Sequence, residues 1–569
     1  MHIRTVFAAV LLAGAATPGL AAPACTVDAL NALNVPNLTV AQAAPAAASA
    51  TAPAYCDVKG TVVTQGENAP DGSARFVLQL PDAWRQRFFF MGVGGNAGGL
   101  SPSVNAVDRA ASLGKGYVTA VTDTGHVGNG TDATWVRTPD GKPDAAKVTD
   151  FFHRAAHDVT VAGKQLAQAF YGAPVQHAYF DGCSTGGRMA MMEAERYPGD
   201  FDGIIAGDPN MDYHAGLLRF VVQKAAFASA ASYLSPETLR AVDKAVTARC
   251  DMLDGASDGL IQDPARCPVS AEELICHAGQ SADCISVEQA RVLHAYIGGA
   301  HDRHGHLLYP GMPISNLSGP RGISFWTTGE TAPDLAHSDA PWGSEAKAPR
   351  GWVFARQALT SWLGLDTPMA KLDVDPRTGM VGDALVAVAD RTFRDGETKD
   401  SAKLLAFIRQ GRKLIIYHGT SDPALSPYRS IAFYQDLAAR LHGIDKAQAS
   451  VRLFLVPGMQ HCSGGPGPDV FDTLSALEVW VEQGKAPDAI PAATKPDSAA
   501  PHSLPLCPYP RQARYQGSGA MTEAANWRCM SARLDDGIAA LNPYGPTVTV
   551  PRSRSHGRGP PLWSVPRMG

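Results

Sequence analysis

Short apolar segments alternate along much of the chain with longer segments whose apolar residues recur at helical spacing. Segments of the first kind predict β-strands, and segments of the second kind predict helices that bury one face. Because strand and helix follow each other repeatedly, the pattern favours a mostly parallel sheet covered by helices on both faces. The predicted strands are 74–80, 87–92, 117–122, 177–180, 203–206, 413–417 and 451–456, and the predicted helices are 155–171, 188–197, 428–441 and 470–483.

This alternation stops between about residue 211 and residue 400. The stretch holds helical pieces, several tryptophans and many loops, and we interpret it as an inserted lid. An Ala/Pro-rich stretch at 41–54 is expected to be mobile. The predicted organisation is a signal peptide at 1–22, a first part of the sheet domain at 23–210, the lid at 211–400, a second part of the sheet domain at 401–545 and a disordered basic tail at 546–569.

The first 22 residues have the pattern of an export signal. A basic start is followed by an apolar run from Val6 to Ala16 and then by small residues, which is the order of regions in a signal peptide. We therefore expect cleavage after Ala21 or Ala22 and a secreted or periplasmic protein. A lipoprotein is the alternative, because Cys25 follows shortly afterwards.

Composition narrows the classes of function. Of 569 residues, 45% are hydrophobic and 18% are charged, and the formal net charge is −5, so we expect no nucleic-acid partner. Beyond the leader, no segment reaches the roughly 18 consecutive apolar residues that a membrane-spanning helix needs. We therefore expect no membrane span, and a chain of this length has room for a large enzyme domain with an insertion.

The chain has ten cysteines, and an even number in an exported protein favours complete pairing. Lipidation of Cys25 would leave an odd number of cysteines for disulfide pairing. A zinc site is another use for such a set, but no CxxC pair and no Cys/His cluster with ligand spacing is present. Spacing suggests four short loops, Cys25–Cys56, Cys250–Cys267, Cys276–Cys284 and Cys507–Cys529, and leaves Cys183 and Cys462 for each other, a connectivity that is a hypothesis.

The segment Gly-Cys-Ser-Thr-Gly at 182–186 lies between a predicted strand and a predicted helix. This is the pattern of a nucleophile elbow, in which a serine, here Ser184, occupies a strained turn and the glycines let strand and helix pass closely. The following helix would direct the backbone N–H of Thr185 toward a developing oxyanion. A glycine-rich loop after strand 87–92 would supply a second N–H from Gly94 or Gly95. The loop lacks the register of a dinucleotide-binding motif.

A nucleophilic serine needs a histidine base and a carboxylate that orients the histidine. In α/β-hydrolases these residues follow in the order serine, acid, histidine. Asp422 and His461 come directly after predicted strands 413–417 and 451–456 and fit that order. The sequence therefore predicts an α/β-hydrolase fold with Ser184, Asp422 and His461 as its triad. His418 precedes the acid, and we expect it to orient the site or face substrate, with a packed histidine as the equal alternative.

Between Cys250 and Cys267, aspartates and glycines alternate in an acidic loop. Oxygen ligands at such spacing suit Ca²⁺, although the loop lacks the full spacing and the terminal glutamate of an EF-hand. A solvated acidic loop is the alternative. The distance in sequence from the triad suggests a structural ion.

Four motifs in this order, GCSTGGR, DMLDGASDG, HGTSDP and PGMQHCSGGPG, resemble the tannase and feruloyl esterase family, and the resemblance covers nearly the whole mature chain. It implies the same triad, the disulfide Cys183–Cys462 and a lid over the active site. It also implies a structural Ca²⁺ held by side chains of Asp251, Asp254 and Asp258 and by carbonyls of Ala256 and Leu260.

These observations predict a secreted serine esterase that hydrolyses small aromatic esters, with hydroxycinnamoyl and galloyl esters as leading substrates. Tryptophans of the lid, Trp352 among them, are candidates to stack on the aromatic ring of the substrate, and His418 is a candidate to face that ring. The tryptophans would serve equally well as the hydrophobic core of the lid. The family includes mono(2-hydroxyethyl) terephthalate hydrolases, so such activity is an alternative. Further alternatives are a silent polyphenol- or carbohydrate-binding protein, and a peptidase or acyltransferase with the same triad. The lid tryptophans are Trp326, Trp342, Trp352 and Trp362.

Overall fold

A nine-stranded mixed sheet forms the centre of the protein. The structure is a computed structural model, and it describes residues 23–531 except 51, 214, 281–282, 338–339 and 499. The strands, β1 to β9 in chain order, are Leu38–Ala46, Tyr55–Thr64, Gly72–Pro81, Arg87–Met91, Tyr117–Thr122, His177–Cys183, Gly203–Gly207, Lys413–Gly419 and Val451–Val456. Their order across the sheet is β1-β2-β3-β5-β4-β6-β7-β8-β9. The expected signal peptide at 1–22 and tail at 546–569 lie outside the described residues.

Strands β4 to β9 pair in parallel, whereas β1, β2, β3 and β5 pair antiparallel in that order. Phe88 and Phe90 of β4 belong to one hydrophobic core and Phe89 to another, and all three are fully buried. Since successive side chains of a strand point to opposite faces, both faces of the sheet are covered. The helices outside 211–400 are Val27–Asn31, Ala106–Ser112, Ala145–Thr149, Ala155–Tyr171, Thr185–Arg196, Leu405–Arg409, Pro427–Arg440, Ile444–Gln448 and Thr473–Gln483.

Residues 211–400 are inserted between β7 and β8 and form helices around a small four-stranded sheet. Two of the helices, Ala215–Ala226 and Arg350–Gln357, pack against each other and supply side chains to the cavity described below. The helices of the insertion are Ala215–Ala226, Pro236–Cys250, Val287–Gly298, Arg350–Gln357 and Asp383–Phe393, and its strands are Ala300–His301, Leu307–Tyr309, Val374–Asp375 and Met380–Val381.

Two local predictions are wrong. The Ala/Pro-rich stretch at 41–54, expected to be mobile, begins within β1, which pairs with β2 up to Ala46. The helix predicted at 470–483 begins only at Thr473, because Asp472 caps it by accepting a hydrogen bond from the Ser475 backbone N–H at 2.7 Å. Residues Val470–Phe471 instead form a strand of a three-stranded sheet, whose other strands are Ile490–Ala493 and Ser503–Leu506.

All five suggested disulfides are present, including the long-range pair Cys183–Cys462, and no described cysteine is free. The bond Cys507–Cys529 joins the segment after the three-stranded sheet to a hairpin of Arg511–Tyr515 and Trp527–Ser531. Within the described part of the chain, no helix combines the length and the hydropathy that a membrane crossing requires.

Candidate active site

Ser184 lies at the turn between strand β6 and helix Thr185–Arg196 with backbone angles φ 65° and ψ −120°. A residue with a side chain adopts a positive φ only when its surroundings enforce it. Here the turn is enforced by a close approach of strand and helix, since a Cβ on Gly182 would lie 2.3 Å from the carbonyl oxygen of Gly186. The structure therefore has the geometry of a nucleophile elbow.

His461 lies on the loop that follows β9, and its Nδ1 is 2.7 Å from Oδ2 of Asp422. The loop is fixed from the insertion, because the side-chain amide of Gln460 donates to the carbonyls of Asn316 and Ser318 at 3.0 and 2.7 Å. Ser184 and His461 line the same cavity. The structure thus brings together the three residues expected from the sequence, which are 277 residues apart from first to last (461 − 184).

Asp422 is completely buried directly after β8. Its Oδ1 accepts hydrogen bonds from the backbone N–H groups of Ala424 and Leu425 at 2.6 and 3.0 Å, which leaves Oδ2 for His461. Burial opposes the charge of this carboxylate, but His461 and the neighbouring His418 outweigh burial and lower the pKa of Asp422 below its ordinary value. An ionised carboxylate of this kind fixes Nδ1 as the protonated nitrogen of His461.

A second buried carboxylate, Asp208, was missed by the sequence analysis. It follows β7, and its oxygens accept from the backbone N–H groups of Gly419 at 2.8 Å and Cys462 at 2.5 Å. Burial raises the pKa of Asp208, although His418 partly offsets this effect. Asp208 therefore holds the acid-bearing and histidine-bearing loops to the end of the central strand. Its position at the carboxyl end of a strand was the only signal in the sequence.

His418 is buried between these carboxylates and does not line the cavity. Its Nδ1 lies 2.8 Å from the hydroxyl of Ser430, and its Nε2 lies 3.4 Å from Oδ2 of Asp422. Burial lowers its pKa, but the charges of Asp208 and Asp422 raise it further, so the net shift is upward. Of the roles weighed for His418, its contacts fit orientation of Asp422 and a packed histidine equally, and they do not fit contact with substrate.

The disulfide Cys183–Cys462 joins the residue before Ser184 to the residue after His461. Its two Cα atoms are 5.9 Å apart although the sequence separation is 279 residues. In the chain-entropy model, a crosslink over a loop of this length adds on the order of 5 kcal/mol to stability. The bond therefore stabilises the fold and limits the separation of the elbow and the histidine loop.

The cavity in front of Ser184 has a volume of about 670 Å³. Gly94, Gly95 and Thr185, the expected oxyanion residues, all line it. The insertion closes much of the remaining surface with aromatic side chains, and Trp326 lies edge-on to His461 with ring centroids 5.0 Å apart. A cavity of this size is suited to a small aromatic molecule.

The four tryptophans of the insertion divide into two pairs. Trp326 and Trp362 line the cavity, whereas Trp342 and Trp352 pack against each other with ring centroids 5.5 Å apart. Trp352 also packs edge-on against Phe227 and is 3% exposed. The structure therefore corrects the expected substrate contact of Trp352, which belongs to the core of the insertion.

The acidic loop contains three aspartates, Asp251, Asp254 and Asp258, and both oxygens of Asp251 accept hydrogen bonds within the loop. Oδ2 of Asp254 is buried without a hydrogen bond among the described residues, Oδ2 of Asp258 lies 3.3 Å from Nε2 of His502, and Oδ1 of Asp251 accepts from the Gly259 N–H at 2.9 Å. Burial and the two neighbouring aspartates raise the pKa of Asp254 to about 7. This donor set fits a hard cation such as Ca²⁺. The three carboxylates do not all lie within 4.8 Å of one another, so direct binding by all three requires side-chain movement.

The parallel-rich sheet, the elbow and the cavity above the strand ends define an α/β-hydrolase-like enzyme. A solved structure, feruloyl esterase B from Aspergillus oryzae, covers 89% of this chain and 99% of its own with a TM-score of 0.71 at 26% identity. The chain belongs to the tannase and feruloyl esterase family, whose model matches residues 56–530. The resemblance inferred from four motifs is thereby confirmed.

Two relatives agree with this assignment. Mono(2-hydroxyethyl) terephthalate hydrolase from Piscinibacter sakaiensis is 33% identical over 86% of this chain and 87% of its own length. A probable feruloyl esterase B-1 from Aspergillus flavus is 30% identical over 81% of this chain and 85% of its own length. The chain is a carboxylic ester hydrolase.

Proposed function

We propose that this protein is a serine esterase that hydrolyses esters of aromatic carboxylic acids through Ser184, His461 and Asp422. The observation that carries the proposal is the meeting, in one cavity, of a serine on a strained elbow and a histidine bound to a buried aspartate. The relatives support the reaction class, because their names denote ester hydrolases with aromatic acyl groups.

In the proposed reaction, Nε2 of His461 takes the proton of the Ser184 hydroxyl as Oγ attacks the ester carbonyl. The tetrahedral intermediate collapses when the same nitrogen returns the proton to the leaving alcohol. Water then enters, is deprotonated by His461 and attacks the acyl-enzyme, and Ser184 recovers its proton as the acid leaves. Throughout, Asp422 remains ionised and stabilises the imidazolium.

The negative charge of each tetrahedral intermediate is assigned to the backbone N–H groups of Thr185 and Gly94. Thr185 is the first residue of helix Thr185–Arg196, where the helix dipole favours an anion. Gly94 lines the same cavity from the loop after β4. We assign the aromatic acyl group to Tyr213, Trp362 and Phe393, which line the cavity and pack together with ring centroids 5.0 to 6.0 Å apart. The insertion 211–400 would then act as the lid.

The covalent intermediate provides a direct test. When the protein turns over p-nitrophenyl ferulate and is quenched in acid, the peptide that contains Ser184 is expected to gain one feruloyl group in mass spectrometry. Ser103 also lines the cavity and serves as an internal control, because its peptide should remain unmodified. Turnover without an adduct, or an adduct on another residue, would contradict the assignment of Ser184.

For the acidic loop we propose a structural Ca²⁺ held by the side chains of Asp251, Asp254 and Asp258 with carbonyls of Ala256 and Leu260. The buried Oδ2 of Asp254, which has no hydrogen-bond partner among the described residues, and the repulsion of Asp254 by the two other aspartates support a cation at this position. When bound, the ion would supply positive charge that lets all three carboxylates remain ionised in a buried loop. The catalytic steps proposed above would not involve the ion.

Removal of calcium is expected to lower the melting temperature. An ion present at about 100 times its dissociation constant adds about 2.7 kcal/mol, and EGTA should remove this contribution while added Ca²⁺ restores it. The Asp254→Asn variant should melt at the lower temperature with or without EGTA. Asp283→Asn, which breaks only an exposed ion pair with Lys244, is the matched control. Identical melting curves for the wild type with EGTA and with Ca²⁺ would refute the site.

We also propose that the protein is exported. Five disulfides require an oxidising environment to form and persist, and the first 22 residues have the pattern of a signal peptide.

A further inference from the structure

Three side chains outside the active site, those of His157, Glu193 and Asp200, converge from three different elements. His157 lies on helix Ala155–Tyr171, Glu193 lies on helix Thr185–Arg196, and Asp200 lies on the loop after that helix. One nitrogen or oxygen atom of each side chain lies within 4.8 Å of those of the other two. None of the three residues lines the active-site cavity. The cluster therefore has donor atoms that the proposed reaction does not use.

Glu193 is the member of the cluster that requires a cation. The residue is 1% exposed, and its Oε2 is buried without a hydrogen-bond partner among the described residues. The charge of the neighbouring Asp200 adds to the effect of burial, and together they raise the pKa of Glu193 well above its ordinary value. Two adjacent carboxylates, one of them buried, are stable only when a proton or another cation lies between them.

Lys164 lies next to the cluster but neutralises it only in part. Its Nζ donates to the backbone carbonyl of Asp200 and lies 4.9 Å from the ring centre of Phe201. Among the described contacts, no ion pair joins Lys164 to either carboxylate. Burial lowers the pKa of Lys164 more than the charges of Asp200 and Glu193 raise it. The ammonium group therefore leaves the space between the two carboxylates to another cation.

The other two side chains of the cluster are held in place and reach solvent. The ring of His157 stacks on the ring of Tyr197 with centroids 3.9 Å apart, and its Nδ1 lies 2.6 Å from Oδ2 of Asp200. The backbone N–H of Asp200 donates to the carbonyl of Tyr197 at 2.9 Å. The side chains of His157 and Asp200 are 29% and 15% exposed, so an ion can reach the cluster from water.

We infer that His157, Glu193 and Asp200 bind one divalent transition-metal ion, and that Zn²⁺ fits them best. Nδ1 of His157 and one oxygen of each carboxylate would be the protein ligands, and a water molecule would complete a tetrahedral site. A shared proton would also neutralise the two carboxylates, but it would make no use of the converging imidazole. One nitrogen and two oxygens favour Zn²⁺ over Ca²⁺ and Mg²⁺, which prefer oxygen ligands alone.

The movement that binding requires is small. Ligand atoms about 2.1 Å from a tetrahedral ion are about 3.4 Å apart. Nδ1 of His157 and Oδ2 of Asp200, now hydrogen-bonded at 2.6 Å, therefore need to separate by less than about 1 Å. Each atom would exchange this hydrogen bond for a bond to the ion, and Nδ1 would lose its proton to water.

The ion would lie at the far end of the helix that starts at the nucleophile. Glu193 is in the last turn of helix Thr185–Arg196, where the partial negative charge of the helix favours a cation. Its position nine residues after Ser184 corresponds to about 14 Å along the helix axis. The ion would therefore stabilise the fold by joining this helix to helix Ala155–Tyr171, and it would take no part in the reaction.

The test uses the full chain, freed of metals by dialysis and returned to saturating Ca²⁺, so that the acidic loop does not compete. Elemental analysis after equilibrium dialysis against Zn²⁺ is expected to find one bound Zn²⁺ per chain. Zn²⁺ at about 100 times the dissociation constant found by that dialysis should raise the melting temperature by about 2 to 3 °C in a protein of this size. Mg²⁺ should cause no such rise.

Glu193→Gln is the decisive variant. It removes the buried charge, and its amide N–H can donate to Asp200, so without Zn²⁺ it should melt no lower than the wild type. It should nevertheless bind no Zn²⁺ and show no rise in melting temperature. His157→Gln should lose the rise as well, and it decides the matter if Glu193→Gln does not fold. His306→Gln is the matched control and should keep the rise, because His306 pairs with Asp302 at 2.8 Å in an exposed loop elsewhere.

Wild-type protein that binds no Zn²⁺, or that binds it without a rise in melting temperature, would overturn the inference, and the contact of His157 with Asp200 would then be an ion pair only. A rise that persists in Glu193→Gln, or that disappears in His306→Gln, would place the ion elsewhere and would overturn it too. No step of the test measures activity, so failure of the proposed esterase function would leave its result unaffected.

Discussion

The Ser184→Ala variant is expected to lose kcat for p-nitrophenyl ferulate by on the order of a millionfold. Without Oγ no acyl-enzyme forms, and only binding and the oxyanion donors can still assist attack by water. The residual rate should therefore remain above that of uncatalysed hydrolysis. Because alanine adds no atoms to the elbow, the φ of 65° at this position is no more strained than before, and the melting temperature should change little.

Ser103→Ala is the matched control for this experiment. Ser103 lines the same cavity, and its hydroxyl donates to the carbonyl of Cys183 at 3.3 Å, so its removal alters the cavity without removing the nucleophile. Most of the activity should remain. Folded Ser184→Ala protein that retains wild-type turnover would eliminate the serine mechanism, and contaminating esterase is excluded by repeating the assay on protein inactivated with a fluorophosphonate.

Several buried elements of the fold were predicted from the sequence, whereas strands β1 and β2 were not. Strands Tyr117–Thr122 and Val451–Val456 and helix Ala155–Tyr171 occur at the predicted positions, because continuous burial imposes apolar residues on every position or on one helical face. Strand β1 was missed since it lies at the sheet edge, contains proline and alanine, exposes most of its residues and shifts register between Val40 and Gln42. Such a strand has no period-two pattern to detect.

The reacting residues could be predicted for a different reason. Each of Ser184, Asp422 and His461 follows a strand within a short motif, so local sequence was sufficient. Asp208 was missed because its role depends on a hydrogen bond to Cys462, 254 positions away. Properties that depend on tertiary contacts cannot be read from local patterns.

The Asp422→Asn variant is expected to lose kcat by about ten-thousandfold. An amide in place of the carboxylate offers its NH₂ group to His461 and favours the tautomer with Nδ1 unprotonated, whose Nε2 cannot accept the serine proton. The amide oxygen can still accept the two N–H groups of Ala424 and Leu425, so the fold should persist. The measurement is kcat for p-nitrophenyl ferulate on protein whose circular dichroism matches the wild type.

The pH dependence of stability gives a second readout for the same variant. Because the pKa of Asp422 is lowered in the folded protein, its charge stabilises the fold at pH values above the unfolded pKa of roughly 3.9, and this contribution is lost as pH falls through the folded pKa. An asparagine at position 422 carries no charge and cannot make this pH-dependent contribution to stability. The wild type should therefore lose more stability than Asp422→Asn when both are acidified from neutral pH.

Two further variants decide whether Asp422 is the orienting acid. Asp472→Asn weakens only the cap of helix Thr473–Gln483 and should retain kcat. Asp208→Asn tests the rival carboxylate, which binds backbone N–H groups of both loops and makes no hydrogen bond to the His461 ring among the described contacts. We expect Asp208→Asn to lower stability more than kcat. If instead Asp208→Asn abolishes turnover while Asp422→Asn retains it, Asp208 is the acid, and the short contact between Asp422 and His461 is structural.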